Sequence, residues 1–420
     1  MATLSVKNPP HFLRALASRN YRLYISGQWV SLLGNWMTAT ASMWLVYHLS
    51  GSPLAVGVVV FANQIPILIL APLAGVLVDR TDGLRVMRTT QALAMLQSAA
   101  MAVFTLSGHM TVAVLIVLSI VQGLINAFDF PSRQALVYGL AGDRALLENV
   151  IALNSITFNL ARLVGPAIAG FVIAGFGAGA CFAVDAVAYL AVLWALMAVR
   201  IEPRTEPASQ AHPLEDLREG VSYAMNHPSI RRMLLMVPVI ALVGFTHSVL
   251  APVFAKDIFH GDARTLGLLL SATGAGSLVA GGFMSGRTSS TGLGRLVAIG
   301  SLICGLSLAG IGLSPGLTLG TTAYAAAGLG SVLVMIAGNT WVQMLVEDDK
   351  RGRVMSLFQM GASFYPIGGL IAGALAEGLG PRVAIIICGG SCSVAALVFA
   401  WSLKKPDAPE GVGGVLAPAE

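Results

Sequence analysis

The sequence predicts an all-α polytopic membrane protein with twelve transmembrane helices in two pseudo-symmetric six-helix bundles. Of its 420 residues, 56% are hydrophobic and only 11% are charged, whereas roughly 25% of a soluble globular protein is charged. The apolar residues form long unbroken runs, which excludes the alternating pattern of a transmembrane barrel. These runs fall into two sets of six on either side of a polar stretch.

Each predicted span has about the 20 apolar residues that a helix needs to cross a bilayer. The first set covers 23–49, 54–78, 86–106, 112–137, 150–175 and 179–201, and the second covers 233–256, 265–286, 295–314, 317–345, 353–377 and 381–403. We therefore expect an N-terminal segment 1–22, a first bundle 23–201, a linker 202–232, a second bundle 233–403 and a tail 404–420. Within the linker, the amphipathic segment Leu214–Glu219 predicts a short surface helix.

The basic residues predict the orientation of the spans. Lys and Arg accumulate in the cytoplasmic loops of membrane proteins. If the N-terminus is cytoplasmic, 21 of the 25 Lys and Arg residues fall in cytoplasmic segments, three fall outside and one, Arg162, falls within a span. Both termini are therefore predicted to be cytoplasmic. The net charge of +5 then reflects membrane topology, and we expect no nucleic-acid partner.

No cofactor or metal site is expected. The four cysteines have no metal-binding spacing, and three of them lie within apolar runs, so all four are interpreted as reduced packing residues. The sequence has no Walker motif, which argues against ATP as the energy source. No set of His, Asp, Glu and Ser side chains clusters at one membrane depth, so we do not expect an enzyme.

The two sets of spans share an internal repeat, in which the matches keep their order along the chain. Gly34 and Gly57 recur as Gly244 and Gly267, Gly75 with Asp79-Arg80 recurs as Gly282 with Gly286-Arg287, Gln134-Ala135-Leu136-Val137 recurs as Gln343-Met344-Leu345-Val346, and Gly165, Gly170 and Gly177 recur as Gly368, Gly373 and Gly380. A parallel repeat of six helices is typical of transporters whose two halves rock about a central site.

The loop after the second span contains Gly75, Asp79, Arg80, Gly83 and Arg85. Gly75 allows close helix approach, and Gly83 is expected to allow a tight turn. Asp79 could cap the helix N-terminus near 352–355 or pair with Arg133 at the end of the fourth span, so Asp129 and Arg133 are also assigned to this contact. Such a contact would be a latch that holds one conformation. The alternative is a solvated loop whose charges only set the orientation.

The loop and its neighbours resemble the major facilitator superfamily. Gly75 to Arg85 is similar to the signature of that superfamily between its second and third helices, and the resemblance covers the whole chain. A closer similarity, to a bacterial enterobactin-exporter-like branch of transmembrane secretion effectors, rests on four segments: Gly34-Asn35-Trp36, Trp44–Tyr47 with Ser52-Pro53-Leu54, Phe128–Gln134, and Asn154 to Gly170. The second copy of the loop has Gly286 in place of Asp79, so a carboxylate latch should be one-sided.

Gly165, Pro166 and Gly170 lie in the fifth span and resemble the antiporter motif of drug exporters in this superfamily. Pro166 removes a helix hydrogen bond, and the glycines allow close packing or a kink. The resemblance implies export rather than uptake. The alternative is ordinary helix packing with no bearing on transport direction.

Three ionisable residues within the first bundle are candidates for function, because charges in a membrane are costly. Arg162 lies near the centre of the fifth span, Asp129 lies towards the cytoplasmic side and Asp185 towards the outer side. A cation between two carboxylates could bind an ionised substrate or relay protons. The alternative is a fixed ion pair, which is favoured for Asp129 because Arg133 is close. Asp185 could instead lie in a wet outer cavity with little role.

Polar residues supplement these charges. Asn126 and Asn159 are candidates for the substrate or proton pathway, although many such amides form interhelical hydrogen bonds instead. His247, in the seventh span, is more often a packed residue than a proton carrier.

The expected function is secondary active export of a small amphipathic organic molecule, such as a siderophore or a drug. The resemblance implies that inward proton movement drives export, that the protein lies in the inner membrane among its lipids, and that it is a monomer. The alternatives are an uptake symporter for a small solute and a non-transporting membrane sensor.

Overall fold

The computed structural model describes residues 11–79, 81–141, 144–199, 213–287 and 291–403, which form helices and no strands. A 3-10 helix, His11–Ala17, precedes the first α-helix. The fifteen α-helices are α1 Arg19–Ser50, α2 Pro53–Asp79, α3 Gly83–Leu106, α4 Val112–Ala141, α5 Arg144–Phe176, α6 Ala178–Ala198, α7 Pro213–Asn226, α8 Pro228–Val239, α9 Thr246–Val253, α10 Ala263–Ser285, α11 Leu293–Leu313, α12 Leu317–Leu345, α13 Arg351–Ala362, α14 Tyr365–Leu379 and α15 Pro381–Ser402.

The membrane character of the fold is clear from these helices. Ten helical segments of the described chain are long and apolar enough to cross a bilayer. Helices α1 and α3, with 32 and 24 residues, are long enough but less apolar. Gln28 and Ser31 of α1 and Gln91 of α3 are buried inside the protein rather than turned towards lipid. Twelve spans therefore remain the prediction, and ten are supported by length and apolarity alone.

Two predicted spans are not continuous α-helices. The seventh runs from α8 through the π-helical segment Ile240–Gly244 to α9, and then through a second π-helical segment, Phe254–Ile258. Pro238 and Pro252 contribute to this irregularity because neither can donate a backbone hydrogen bond. The eleventh span breaks at Ser363 and Phe364, between α13 and α14.

The linker region contains the predicted surface helix, observed as α7, which packs on α8 and α13. Glu219 of α7 forms ion pairs with Lys350 and, at 2.8 Å, with Arg353. The hydrogen bond from Lys350 to Glu219 raises the pKa of Lys350 above its usual value. Helix α8 begins at Pro228, before the predicted start of the seventh span. The division of the chain into two bundles with the expected boundaries remains a prediction.

Helices α1–α6, here called the N-terminal helices, meet helices α8–α15, the C-terminal helices, mainly through two pairs. Helix α2 packs on α14, and α5 packs on α10. At the second pair the backbones approach closely: a Cβ added to Gly267 would lie 2.5 Å from the Pro166 carbonyl oxygen and 3.1 Å from the Gly170 Cα atom. Only a residue without a side chain permits this contact.

The contacts between the two sets of helices are concentrated towards one end of the molecule. That end, here the closed end, contains Ser50–Leu54; the opposite end, where α1 begins and α15 finishes, is the terminal end. Along α5, the close approach to α10 extends from Gly170 to Arg162 and Leu163, which face Gly274. Towards the terminal end, α13 packs on α7, α8 and α12, and within the described residues it has no comparable contact with the N-terminal helices. The structure is thus open towards the terminal end.

The α5–α10 contact generates a prediction. Gly267→Ala should reduce both the amount of protein in the membrane and its apparent melting temperature in detergent, because overpacking costs about 1–3 kcal/mol. Gly281→Ala, on the same helix but with no atom within 4 Å of the added Cβ, is the matched control. Equal melting temperatures for the two variants would contradict the close approach of α5 and α10.

Candidate functional site

Arg162 is the centre of the candidate site. It lies near the midpoint of α5, where its backbone carbonyl oxygen faces Gly274 of α10. Its guanidinium carbon is 5.9 Å from the centroid of the Trp36 ring of α1. The Trp36 ring in turn packs edge-on against Phe158 at 5.9 Å. This cation–π geometry is worth about 0.5–1 kcal/mol or more, and it holds the guanidinium against an aromatic wall.

The opposite wall comes from the broken helices of the C-terminal set. Tyr365, the first residue of α14, interacts electrostatically with Arg162 and lies beside Gln64 of α2. Phe245, between the π-helical segment and α9, packs edge-on against Tyr365 at 6.2 Å. The two helix breaks thus provide aromatic rings for the surroundings of Arg162.

Arg162 forms no hydrogen bond or ion pair with an acidic side chain within the part of the chain that the structure describes. It is also only partly buried. A membrane-embedded cation without an acidic partner requires water or a bound anion to compensate its charge. The arrangement can therefore accept a carboxylate or similar anion between two aromatic walls.

The two predicted asparagines form local hydrogen bonds. Asn159, three residues before Arg162, donates from Nδ2 to the Ser155 carbonyl oxygen at 2.9 Å. Asn126 of α4 accepts a hydrogen bond from Gln122 at 3.0 Å. Each of these hydrogen bonds connects two residues of the same helix, so neither bond joins two helices. Both side chains are partly exposed. Their assignment to a substrate pathway remains a prediction.

Asp185 of α6 does not lie in a wet outer cavity. It is 1% exposed, and its Oδ2 atom accepts hydrogen bonds from Ser98 of α3 at 2.8 Å and Thr38 of α1 at 2.9 Å. The apolar runs could not show this, because the two hydroxyl donors come from other helices. The carboxylate is therefore enclosed among α1, α3 and α6, and Arg162 is not one of its partners among the described residues.

Asp129 and Arg133 form a fixed pair within α4, with 2.5 Å between Oδ2 and Nη2. The Oδ1 atom of Asp129 also accepts hydrogen bonds from Thr90 at 2.8 Å and Gln91 at 2.7 Å, both of α3. This geometry agrees with the fixed-pair alternative for Asp129. Arg133 is thus already engaged within its own helix in this state.

The predicted latch loop is only partly within the described structure. Arg80 and the side chain of Asp79 lie outside the described residues, and Gly75 has no neighbour within 4 Å of an added Cβ. The tight turn expected at Gly83 was wrong: this residue begins α3, and the Oδ1 atom of Asp82 caps the helix by accepting from the backbone of Leu84 and Arg85. A capping carboxylate stabilises this end without a left-handed turn.

The antiporter-like motif packs α5 against its neighbours. A Cβ added to Gly165 would lie 2.5 Å from the Trp36 Cβ atom, and Gly170 and Pro166 contact Gly267 of α10. The motif therefore positions the Trp36 wall on one side and the C-terminal helices on the other. These packing contacts are compatible with either direction of transport.

The closed end carries polar contacts that the sequence did not predict. The Tyr47 hydroxyl of α1 donates to Asp257 of the second π-helical segment. Glu377 of α14 accepts from the Ser52 hydroxyl at 2.8 Å and from the Leu54 backbone at 3.4 Å. Glu377 thus places a carboxylate at the N-terminus of α2, where the helix dipole favours negative charge. Both contacts join N-terminal to C-terminal helices.

A comparison with family models identifies the chain. Residues 13–410 match the transmembrane secretion effector family. The chain belongs to this family of major facilitator transporters. The expected superfamily and fold class are thereby confirmed, and the protein is a multi-pass membrane transporter of small molecules rather than an enzyme.

Individual transporters are similar to it over most of their length. The staphyloferrin A transporter of Staphylococcus aureus is 26% identical, over 91% of this chain and 96% of the relative. The multidrug efflux pump Tap of Mycolicibacterium fortuitum is 28% identical, over 83% of this chain and 87% of the relative. The crystal structure of the nucleoside transporter NupG has the same fold, with a TM-score of 0.72, 16% identity, and coverage of 92% of this chain and 100% of NupG.

The closed-end contacts of the transporter generate a prediction. Glu377→Gln removes a charge from the N-terminus of α2, an interaction worth about 0.3–1 kcal/mol at an exposed site. The equilibrium should therefore shift about two- to five-fold away from the state that is open at the terminal end. Single cysteines placed near each end and titrated with a membrane-impermeant maleimide measure the shift.

The control is Glu347→Gln, which removes an exposed charge from the terminal end. It should leave labelling near the closed end unchanged. If Glu377→Gln and Glu347→Gln give the same labelling as the parent protein, Glu377 does not hold the closed end.

Proposed function

We propose that this transporter exports an amphipathic organic anion across the inner membrane by alternating access, in exchange for protons. The observation that carries the proposal is Arg162, a guanidinium midway along a membrane helix, flanked by aromatic rings and without an acidic partner among the described residues. Arg binds carboxylates through two parallel hydrogen bonds. The aromatic walls favour an apolar body attached to that carboxylate.

The relatives support this substrate class and direction. The matched proteins include one named for a siderophore, staphyloferrin A, and one named as a multidrug efflux pump. Both names agree with a small organic cargo, and the second agrees with export. The packing of Gly165 and Gly170 is compatible with either direction of transport, so the relatives named as efflux pumps carry the directional part of the proposal.

The orientation and the alternating-access cycle follow from this proposal. With both termini cytoplasmic, the terminal end faces the cytoplasm, and the state described here would load substrate from inside. Opening the contacts of Tyr47 and Glu377 while closing the terminal end would then expose Arg162 to the other side. The cycle needs one copy of the chain, since the candidate site is formed within it.

Direction is tested in proteoliposomes that contain the purified transporter in known orientation. A fluorescent aromatic carboxylate inside the vesicles serves as the probe, and a pH gradient is imposed. Exchange with protons predicts that the probe leaves from the cytoplasmic face when the opposite compartment is acidic. Movement of the probe in the same direction as the protons would instead support the uptake symporter. Movement of the probe that does not respond to the pH gradient would contradict proton coupling.

Arg162 generates a prediction for this assay. Arg162→Ala should reduce transport of the carboxylate probe at low probe concentration by about 10- to 100-fold while leaving the protein in the membrane, because losing one charge-assisted contact weakens binding by that factor. Arg162→Lys should retain part of the activity, since it keeps the charge but loses the planar two-point contact. Normal transport by Arg162→Ala would exclude a substrate-binding role, whereas loss of the variant protein from the membrane would point to a structural one.

The latch loop generates a further prediction. We propose that in the state closed at the terminal end Asp79 meets the start of α13 near residues 352–355. Asp79→Asn should then shift the equilibrium towards the state open at the terminal end, about five-fold for a contact worth about 1 kcal/mol. Gly286→Ala, at the equivalent position of the repeat, should have no such effect. Cysteine accessibility from both sides measures the two variants, and unchanged accessibility in Asp79→Asn would leave this residue as a topology charge only.

A further inference from the structure

Among the described residues, seven buried polar side-chain atoms of the N-terminal helices have no hydrogen-bond partner, compared with four in the C-terminal helices. The seven atoms are Tyr24 Oη, Gln28 Oε1 and Nε2, Ser31 Oγ, Gln91 Oε1, Arg133 Nε and Asp185 Oδ1. Native proteins leave few buried polar atoms unsatisfied, and internal water usually supplies the missing partner. Three of the residues that carry these atoms lie on α1, and the others lie on α3, α4 and α6, which pack on α1 or on one another.

Helix α1 organises this region as a polar stripe. Tyr24, Gln28, Ser31, Asn35 and Thr38 follow one another at intervals of four, three, four and three residues, which places them on one face of the helix. At 1.5 Å per residue the stripe is about 21 Å long. A polar face of this length inside a membrane bundle is costly unless it is hydrated.

The terminal end of the stripe leads to the Asp129 cluster. Tyr24 interacts electrostatically with both Asp129 and Arg133. Thr90, which donates a hydrogen bond to Asp129, also lines an open, mainly apolar groove between α3 and α4. That groove extends to Thr81 and Asp82 at the terminal end. The Asp129 cluster therefore lies at the end of the stripe that is nearer to the terminal end.

The other end of the stripe leads to Asp185. Its Oδ2 atom accepts from Thr38 and Ser98, which leaves Oδ1 as the free acceptor. The titratable groups near it are Cys181 and Tyr189, both on α6. Of the helices packed against it, α1 and α3 present neutral hydroxyls, and no cation of the described residues interacts with it. A lone buried carboxylate of this kind is a natural proton acceptor in a transporter.

We propose that the polar stripe of α1 lines a chain of internal water molecules, and that Asp185 carries the proton exchanged for substrate. The inference rests on the proposed proton-driven function and identifies its carrier. A proton binds the Oδ1 lone pair of the carboxylate, giving a neutral carboxylic acid. In the state open at the terminal end, the acid returns this proton to water along the stripe, past Ser31, Gln28 and Tyr24. No other bond forms or breaks.

Helix α1 connects this proton site to the candidate substrate site. Thr38 donates to Asp185, while Trp36, two residues earlier on the same helix, forms the wall against Arg162. Gly34 also packs directly against the Asp185 side chain. Protonation of Asp185 removes the negative charge that accepts the hydrogen bond from Thr38. If α1 shifts as a result, Trp36 moves with it. Proton and substrate can thus be linked without direct contact.

The test uses the purified full chain in lipid nanodiscs without substrate, so that it does not depend on the identity of the cargo. Infrared difference spectra between acidic and neutral pH report the carbonyl band of protonated carboxyl groups. We expect one component of this band to be lost in Asp185→Asn and retained in Asp129→Asn. Thermal unfolding of each variant in the same nanodiscs checks that it is folded.

A second variant tests the route and leaves Asp185 in place. Ser31→Val should slow the appearance of the Asp185 band after a pH jump by about ten-fold, equivalent to about 1.4 kcal/mol in the barrier. The matched control is Ser301→Val, which changes a buried serine of α11 whose hydroxyl is already satisfied by the Val297 carbonyl oxygen. This control should leave the rate unchanged.

The outcomes distinguish the carrier, the route and the transport function. A band unchanged in Asp185→Asn would overturn the assignment of the carrier. Equal rates in Ser31→Val and Ser301→Val would overturn the water route along α1. If the infrared results are as expected but the vesicle assay shows no proton-driven movement of the carboxylate probe, the proposed function fails while the proton site stands.

Discussion

The structure depends on one constraint: in hydrocarbon, every backbone N–H and C=O group must find its partner within the protein. Regular helices meet this constraint, and the described chain departs from them within a span at only a few places. Two of these departures, the π-helical segment that ends at Gly244 and the break at Ser363 and Phe364, are followed directly by Phe245 and Tyr365. Irregular backbone is tolerated in a membrane protein where it is buried or lines a cavity, and here it borders the surroundings of Arg162.

The charged side chains within the membrane also need partners inside the protein. The Asp129–Arg133 pair is neutralised within one helix, and Asp185 is held by two hydroxyl donors. Arg162 differs from both because the described residues offer it aromatic rings and the Tyr365 hydroxyl but no carboxylate. The separation of Arg162 from Asp185 suits an exchanger, in which cargo and proton need not compete for the same side chain. Helix α1 lies between the two and contacts both.

Much of the fold could be predicted from the sequence, because repeated apolar runs of about 20 residues are typical of membrane-spanning helices. The helices follow the predicted runs closely, as α12 shows with the same limits, 317–345. The breaks in the seventh and eleventh spans were not predicted, since hydropathy does not register a π-helical segment. Pro238, Pro252 and Pro366 were the available signal, because each removes a backbone donor.

The candidate site was less predictable, because its parts lie far apart along the chain. Arg162 stood out as an isolated charge in an apolar run, but its neighbours Trp36, Gln64 and Tyr365 belong to three other helices and had no comparable signal. Asp185 was expected near the outer side, whereas its burial depends on Ser98 and Thr38, which only the packing reveals. Glu377 was missed because a carboxylate near a helix end looks like any solvated charge until the helix it caps is known.

The most direct test of the proposed site measures whether Arg162 binds a carboxylate. An aromatic fluorescent acid and its methyl ester, which differ only in charge and hydrogen-bonding capacity, are titrated into the detergent-purified transporter by fluorescence polarisation. We expect the acid to bind at least about ten-fold more tightly than the ester, because one charge-assisted contact is worth about 1.5–3 kcal/mol. We also expect Arg162→Ala to remove this difference. Equal affinity of the parent protein for acid and ester would contradict the central claim.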